Sequence, residues 1–313
     1  MELTEERRAL RDAVRKLLAS RPDPLWPRLC KEIGVAGLAV PSSCGGADAT
    51  LLESHVVLAE LARQLTPSPM LGSAVLATQA LLRVGATGLV PSLCAGDRVA
   101  TVLFAGDRVL DAASADIVLV VDGDELSEVA AADVALRPCD VLDPTRPLSV
   151  VRRPDAPARH LGSSPGLQSW LRDLACVALS AEQVGAASRA FELTHAYVRQ
   201  RIQFGRPIGS FQVIQHRLAE AYLDLETATT ASWTAAEALA ADAPDAPALA
   251  AMARVHCSEV FQAIVAEMVQ MHGGIAITWE HDAHRYLRRA HADAQLFGAP
   301  ATHLDRLAAT LLP

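Results

Sequence analysis

Long helical patterns fill the second half of the chain and constrain its fold more than any other feature. Apolar residues recur at near-helical spacing across roughly 167–200, with Trp170, Leu174, Val177, Ala181, Val184 and Leu193 on one stripe. A second pattern starts at Phe211, a third ends at Gly273-Gly274, and a fourth covers 280–297. Long helices joined by short loops pack antiparallel. Residues 159–313 are therefore predicted to form a four-helix bundle.

The residue pattern of the first half of the chain changes once, from helical spacing to short β-branched runs. Residues 4–95 carry helical spacing interrupted by Pro/Gly/Ser breaks, and residues 98–158 carry short β-branched runs such as "ADIVLVVDG". The β-branched runs predict a small antiparallel sheet. Because a unit of this size is too small to be stable alone, we expect it to pack against the helices. The predicted fold class is mainly α with a small β domain. The predicted domains are 1–97 (helical), 98–158 (reduced β) and 159–313 (bundle).

Composition excludes several classes of function. The net charge of −8 and the lack of a basic cluster argue against nucleic acid as a partner. The six cysteines are scattered without CxxC spacing, which is typical of small buried hydrophobes. No apolar run reaches the roughly 18–20 residues of a membrane span, and the charged N-terminus lacks the apolar core of a signal peptide. We expect a cytoplasmic protein with no membrane partner.

One tight corner between helices concentrates hydrogen-bonding groups. Arg201 ends the first bundle helix and Gln212 opens the second, while Gly205, Pro207 and Gly209 enforce a sharp turn between them. A guanidinium beside an amide and free helix N-terminal N–H groups suits a phosphate or pyrophosphate. A helix-capping corner with a surface ion pair fits the same residues equally well.

A second candidate stretch is "QMHGGIAITWEHD". Gln270 ends a helix, and Gly273 and Gly274 permit positive φ and close approach of a ligand to the backbone. A plain helix C-cap is the alternative interpretation.

Taken together, these stretches resemble the acyl-CoA dehydrogenase family. The pattern R-x-Q-F-G-R-P-I-x-x-F-Q is followed some sixty residues later by Q-x-H-G-G-I-x-x-T, and "EIGVAGLAVPSSCGG" resembles the first domain of that family. The resemblance implies a helical domain, a middle β domain and a C-terminal four-helix bundle. It also implies FAD as cofactor and an acyl-CoA thioester as substrate, with α,β-dehydrogenation started by a carboxylate base.

In the family, the bundle corner and the Gly-Gly stretch reach the FAD of a neighbouring subunit. The residues carried over by this resemblance are Arg201, Phe204, Gln212, Gln270, Gly273 and Gly274.

The catalytic base of the family is missing at both of its known positions. Phe297 stands where most members carry the glutamate, and Ala175 stands near the position used by a minority. Neither side chain titrates, as a general base must. Glu182, two turns along the helix from Ala175, is an alternative base, as are Glu280 and Asp282; for Glu182 a structural role is favoured.

Two further departures concern the flavin ring and a metal. The β unit is shorter than in the family and lacks the Thr-Glu-Pro-rich loop and the Trp-hydroxyl stretch that hold the ring. His281 and His284 are spaced like metal ligands, but ligands should converge from several elements, and we predict no metal.

The resemblance leaves three hypotheses. The chain looks like the short subunit of heteromeric dehydrogenases of steroid side-chain CoA thioesters, paired with a longer acyl-CoA dehydrogenase subunit in an α2β2 heterotetramer. Electron-transfer flavoprotein would be the electron acceptor. Alternatively, the chain is a self-sufficient homo-oligomer that uses Glu182, or an inactive acyl-CoA-binding scaffold.

Overall fold

The computed structural model describes residues 3–104, 108–152 and 158–311. Helices come first, a small β unit follows, and long helices complete the chain. This order confirms the predicted fold class.

The N-terminal part is helical and packs onto the bundle. A capping box in which Thr50 and Glu53 exchange hydrogen bonds starts its longest buried helix. Buried leucines of this part and of the bundle share one apolar core. The helices are α1 (Glu5–Ala19), α2 (Leu25–Arg28), α3 (Leu51–Arg63), α4 (Thr78–Arg83) and α5 (Val90–Cys94), with a π-helical segment at Met70–Ala77 before α4.

The β unit consists of two sheets. Its strands are β1 (Ala100–Leu103), β2 (Arg108–Leu110), β3 (Ile117–Asp122), β4 (Glu125–Ala130), β5 (Ala135–Pro138), β6 (Leu148–Arg152) and β7 (Arg159–Ser163). One sheet has the order β1-β3-β4-β7 and the other the order β2-β6-β5. The prediction of a purely antiparallel unit was wrong, because β1 pairs with β3 in parallel. The chain crosses to β2 in the second sheet between them, so it returns in the same direction.

Packing explains how so small a β unit is stable. Val102 and Leu119 of the first sheet are buried in the core that contains the N-terminal helices. Val109 and Val118 form a second small core between the two sheets. The β unit therefore packs against the helices, as predicted. Strand β7 begins at Arg159, after the predicted end of the β unit, and the proposed domain boundaries stay predictions.

The bundle follows the periodicity of the sequence closely. Its helices are α6 (Leu167–Gln200), α7 (Gln212–Ala240), α8 (Ala246–His272), α9 (Ala283–Asp293) and α10 (Pro300–Leu311). A two-stranded hairpin, β8 (Ile202–Gln203) and β9 (Arg206–Pro207), joins α6 to α7. Helix α8 lies against α6, α7, α9 and α10 and carries the fully buried Phe261 and Val265.

One segment is long and apolar enough to cross a membrane by length and composition alone. It covers Ala246–Ile277, with a hydropathy of 1.3 in its best window. This corrects the expectation that no segment would reach that length. Helix α8 is apolar because it lies among four other helices. Core helices of soluble proteins can be equally long and apolar.

Candidate functional site

The corner between α6 and α7 is a tightly hydrogen-bonded hairpin. The N–H of Arg201 donates to the carbonyl of Tyr197 at 2.9 Å, and the N–H of Ile208 donates to the carbonyl of Arg201 at 2.8 Å. Phe204 and Gly205 form the two-residue turn with φ of 51° and 77°. This pair of positive φ values is what a tight hairpin loop demands. The turn projects Phe204 into solvent, where its side chain is 92% exposed.

An aromatic contact brings the Gly-Gly stretch to the same end of the bundle. The ring of Tyr197, one turn before Arg201, stacks on His272 with centroids 4.2 Å apart. The hydroxyl of Tyr197 also lies 3.5 Å from the carbonyl of His272. His272 ends α8 and directly precedes Gly273. Residues some seventy positions apart therefore meet at one end of the bundle.

All six residues predicted to bind FAD are exposed at this end. They are Arg201, Phe204, Gln212, Gln270, Gly273 and Gly274. Gly273 has a φ of 66°, and a Cβ atom on either glycine would meet no described atom within 4 Å. The backbone there is open to the close approach of a ligand.

The donors at the corner fit the phosphate side of a dinucleotide. Phe211 precedes α7 and no side chain caps this helix, so first-turn N–H groups remain to bind an oxyanion. The guanidinium of Arg201 and the amides of Gln212 and Gln270 add donors of the type that binds pyrophosphate.

Exposed apolar side chains occur in the same two segments of the chain as these polar groups. Ile277 and Trp279, just after the Gly-Gly stretch, are 75% and 78% exposed. Eight of the eleven exposed large hydrophobic residues of the described chain belong to 202–223 or 275–279. We call these eight the apolar collar: Ile202, Phe204, Val213, Tyr222, Leu223, Ile275, Ile277 and Trp279. Exposed apolar surface in this amount marks an interaction site.

The histidines near the collar make contacts of other kinds. His281 accepts a hydrogen bond from the N–H of Ala283 at 3.1 Å, and His284 packs against Trp279 at 4.6 Å. No group of three or more potential metal ligands occurs among the described residues. The absence of a metal stays a prediction.

A separate cavity of about 500 Å³ lies between the β unit and the helices. Its walls come from the π-helical segment, from β1, β2 and β6, and from α6, α9 and α10. Phe297 lies on its wall with its ring 6.1 Å from that of Phe104. None of the described residues that line the cavity is Asp or Glu. The described wall therefore offers no carboxylate base.

A buried arginine stabilises the turn that carries Phe297 by hydrogen bonds to its backbone. Arg254 of α8 is fully buried and donates to the carbonyl oxygens of Asp293, Leu296 and Gly298 at 2.8–2.9 Å. Ala175, near the other position predicted for the family base, is fully buried in the core and does not line the cavity.

Glu182, the alternative base, belongs to a buried charge cluster. Its carboxylate accepts a hydrogen bond from Arg146, and the same guanidinium lies 3.2 Å from Asp293. Arg289 in turn donates to Asp143. We call Asp143, Arg146, Glu182, Arg289 and Asp293 the charge cluster. The cluster connects the loop before β6 to α6 and α9. Glu182 is not among the residues that line the cavity.

The pKa shifts in and beside the cluster have opposite directions. Burial raises the pKa of Asp293, and burial raises the pKa of Asp111 to about 6. Burial also opposes ionisation of Asp143, but the charge and hydrogen bond of Arg289 outweigh it and hold the pKa of Asp143 below its usual range.

Other proposed bases lie away from the cavity. Glu280 and Asp282 are exposed beside the Gly-Gly stretch, and Asp282 pairs with Arg285 at 3.1 Å.

Sequence reasoning missed Arg254 and the two arginines of the charge cluster. For Arg254 a signal existed, since it is the only arginine or lysine in the apolar pattern of α8, and a buried charge needs partners. For Arg146 there was none, because its partners lie on α6 and α9, far along the chain.

Models of one known protein family match both the N-terminal and the C-terminal part of the chain. The model of the acyl-CoA dehydrogenase N-terminal domain matches residues 4–89, and that of the acyl-CoA dehydrogenase C-terminal domain matches residues 160–312. Acyl-CoA dehydrogenase IpdE2 of Mycolicibacterium smegmatis is 40% identical over 98% of this chain and 99% of its own length. The protein of the same name from Mycobacterium tuberculosis is 38% identical over 97% and 96%.

Two solved structures share both fold and sequence with the chain. One is a variant of the Tcur3481–Tcur3483 steroid acyl-CoA dehydrogenase, with a TM-score of 0.89 and 26% identity over 98% of each chain. The other is the ChsE4–ChsE5 complex from Mycobacterium tuberculosis, with a TM-score of 0.88 and 27% identity over 100% of this chain and 99% of the other.

Proposed function

This chain belongs to the acyl-CoA dehydrogenase family, as a subunit of an FAD-dependent enzyme, and we propose that it lends cofactor-binding residues to a longer catalytic partner subunit. The observation that carries the proposal is a contrast between two places in the fold. All six residues predicted to bind the cofactor are exposed at the corner and the Gly-Gly stretch, whereas the described wall of the cavity has no carboxylate.

The residues of the corner would bind FAD without acting on the substrate. When bound, FAD supplies the acceptor for the hydride removed from the acyl group. Arg201, Gln212 and Gln270 would hold the phosphates and the adenosine side, and the open backbone at Gly273 and Gly274 would let the cofactor lie close. Phe204, in the hairpin turn, would cover the cofactor from solvent.

The apolar collar supports a partner subunit at the same place. Interfaces of obligate complexes are large and apolar, and aromatic residues are enriched at their cores. A subunit that covers Phe204, Ile277 and Trp279 would bury this surface and bring its own flavin site to the corner. We propose an α2β2 heterotetramer for this assembly.

The names of the related structures bear on the substrate. One is called a steroid acyl-CoA dehydrogenase and the other is a complex of two chains. We propose a CoA thioester of a steroid degradation intermediate as the substrate of the assembly and electron-transfer flavoprotein as its electron acceptor. We further propose a cytoplasmic location.

A self-sufficient enzyme that uses Glu182 is the second candidate. The position of Glu182 argues against it, because its carboxylate is bonded to Arg146 inside the protein and does not line the cavity, whereas a general base must reach the proton that it removes. The scaffold hypothesis is compatible with the cavity but gives the hydrogen-bond donors at the corner no function.

Purification from the native source tests the proposal. We expect the chain to co-purify with a longer acyl-CoA dehydrogenase subunit as a yellow complex with two flavins per four chains. Expressed alone, it should be colourless, inactive, and poorly soluble or self-associated. A yellow, active homotetramer with one flavin per chain would instead establish the self-sufficient enzyme.

A further inference from the structure

A groove of about 380 Å³ lies where the N-terminal part of the chain meets the start of the bundle. Its walls come from the chain before α3, from the first residue of α3, from α4, from the first turn of α6 and from the end of α7. This volume falls within the range of small-molecule sites in proteins. We call this space the groove.

The groove is separate from both candidate sites. Trp170 lines the groove and Arg172 lines the cavity, and residues two positions apart point to opposite sides of a helix. The corner begins at Arg201, at the other end of α6, which is roughly 45 Å away at 1.5 Å per residue. A ligand in the groove would therefore contact neither the proposed cofactor site nor the wall that carries Phe297.

Arg83 lies at the rim of the groove with its hydrogen-bond donors unused. Its guanidinium stacks on the indole of Trp170, 4.3 Å from the ring centroid. Its ion pair with Asp242 spans 3.7 Å, and among the described residues neither side chain has a hydrogen-bond partner. Because stacking already fixes the orientation of the guanidinium, little side-chain entropy is lost when Arg83 binds a carboxylate.

The groove also offers acceptors. The carboxylate of Asp242 is 75% exposed and is free to bind a cation. The amide N–H of Gln79 donates to the carbonyl of Ala39 at 2.6 Å, and within the described part of the chain the amide oxygen accepts no hydrogen bond. A carboxylate and an amide oxygen are acceptors that an ammonium group can use.

Apolar side chains form much of the remaining surface. Leucines from three helices line the groove: Leu51 of α3, Leu82 of α4 and Leu239 of α7. Leu239 is buried, and the other two are half-buried. The groove therefore combines a cation, an anion and an apolar surface within one small space.

We propose that the groove binds a free α-amino acid with an apolar side chain. The carboxylate of the ligand binds Arg83, its ammonium group binds Asp242 and the amide oxygen of Gln79, and its side chain packs on the leucines. In an α-amino acid a single carbon separates the two charges, which suits two opposite charges of the protein that lie 3.7 Å apart. A ligand with one charge would use only one of these groups.

Titration calorimetry on the protein as it purifies from its source, and on variants of it, tests this site. The probes are L-leucine, isopentylamine, which is leucine without its carboxylate, isocaproate, which is leucine without its ammonium group, and glycine. We expect leucine to bind about tenfold or more tightly than each of the other three. Each charged analogue loses one charge-assisted contact, and glycine loses the apolar side chain.

Two charge variants separate the two ends of the ligand. Arg83→Gln should remove most of the preference for leucine over isopentylamine, and Asp242→Asn should remove most of the preference for leucine over isocaproate. The matched controls are Arg98→Gln and Asp224→Asn, which alter exposed residues that do not line the groove. Both controls should leave all four affinities unchanged.

A third variant keeps the test decisive if Arg83→Gln fails to fold without its stacking contact. Ala240 is an exposed residue at the end of α7 on the wall of the groove. Ala240→Phe keeps both charges but fills the apolar part, so it should weaken leucine and leave glycine nearly unchanged.

Every outcome supports or overturns the amino-acid site. Selectivity for leucine that is lost in the groove variants and kept in both controls supports it. If isopentylamine or isocaproate binds the wild type as tightly as leucine, the ligand needs only one charge and the proposal is wrong. It is equally wrong if leucine gives no binding heat, or if its affinity is the same in the folded groove variants as in the wild type.

Discussion

Two turns, each set by a few residues, shape the two candidate sites of this chain. At the hairpin, Phe204 and Gly205 take positive φ and present Arg201 and its neighbours to solvent. After α9, Phe297 also takes positive φ, with a φ of 57°, and lies on the wall of the cavity. The first turn exposes hydrogen-bond donors, and the second places an aromatic ring at the position predicted from the family resemblance for the catalytic carboxylate.

Arg201→Ala should weaken flavin retention in the assembled protein about tenfold or more. The variant removes a charge-assisted contact of about 1.5–3 kcal/mol. Flavin absorbance after dialysis at a series of dilutions measures the change. Arg98→Ala, which alters an exposed arginine of the N-terminal part, serves as the control. Unchanged retention in Arg201→Ala would remove the corner from the cofactor site.

Glu182→Gln should leave turnover of the assembled enzyme within a few-fold and should lower its melting temperature. Glutamine cannot neutralise Arg146, which would keep only its contact with Asp293, and removing one partner of a buried ion pair costs up to about 3–5 kcal/mol. Steady-state kinetics and thermal unfolding are measured on the same preparation. A loss of turnover of about 100-fold in a folded variant would assign the base to Glu182.

At the scale of elements, a close helix crossing fixes how the N-terminal part sits on the bundle. A Cβ atom at Gly185 of α6 would lie 2.1 Å from the carbonyl oxygen of Ala59 in α3. The two backbones approach so closely that only glycine fits at the crossing.

Gly185→Ala should therefore destabilise the protein although alanine favours helix. The methyl group would force α3 and α6 apart, and overpacking of this kind costs about 1–3 kcal/mol or more. Urea unfolding followed by circular dichroism gives the free energy of unfolding. Ser188→Ala, one turn along α6 and half-buried, is the matched control and should be nearly neutral. A Gly185→Ala variant as stable as the control would show that the helices can separate without cost.

The charge cluster joins three elements and makes stability depend on pH. Asp111 lies beside it, facing Arg146, Glu182 and Arg289 around a small polar gap. Its ordinary pKa of 3.8 applies to the unfolded chain, and burial raises the pKa to about 6 in the folded protein. The contribution of Asp111 to stability is therefore complete below about pH 4 and is lost as the pH rises through 6.

Asp111→Asn should remove this pH dependence. Compared with the variant, the wild type should lose up to about 3 kcal/mol of unfolding free energy between pH 4 and pH 7, from 1.36 kcal/mol per unit of pKa shift. Denaturant titrations of both proteins at several pH values measure the difference. Parallel curves for the two proteins would mean that Asp111 ionises normally in the folded state.

At the scale of the whole molecule, most of the exposed large apolar residues that the structure describes belong to two segments. The apolar collar occurs in the segments that carry the corner and the Gly-Gly stretch, which supports the proposed subunit interface beside the proposed cofactor site. The cavity lies elsewhere, between the β unit and α10.

Ile277→Asp should prevent assembly with the partner subunit while the chain itself stays folded. The carboxylate would be buried without a partner in an apolar interface, which costs several kcal/mol. Sedimentation velocity of the co-expressed chains measures the loss of the complex. Leu304→Asp, an equally drastic change at an exposed leucine of α10, should leave assembly intact. Intact assembly of Ile277→Asp would move the interface away from the collar.

The sequence alone determined the fold class and the limits of the long helices. Periodicity placed α6 at 167–200 as the structure has it, because a helix that buries a stripe must repeat its apolar residues at helical spacing. Local turn chemistry likewise marked the α6–α7 corner, since Gly205 and Pro207 act within a few residues. The six residues predicted to bind FAD were identified from sequence motifs. They lie together at one end of the bundle, which is compatible with that prediction.

Only the tertiary structure decided which distant groups meet. Arg146 finds Glu182 and Asp293, and Tyr197 finds His272, through the packing of helices that are far apart along the chain. The parallel pairing of β1 with β3 and the stacking of Arg83 on Trp170 are of the same kind. Periodicity and turn preferences report only neighbours within one element. Contacts between elements depend on how the helices and sheets pack, and this is why the structural role of Glu182 and the groove beside Arg83 emerged only from the fold.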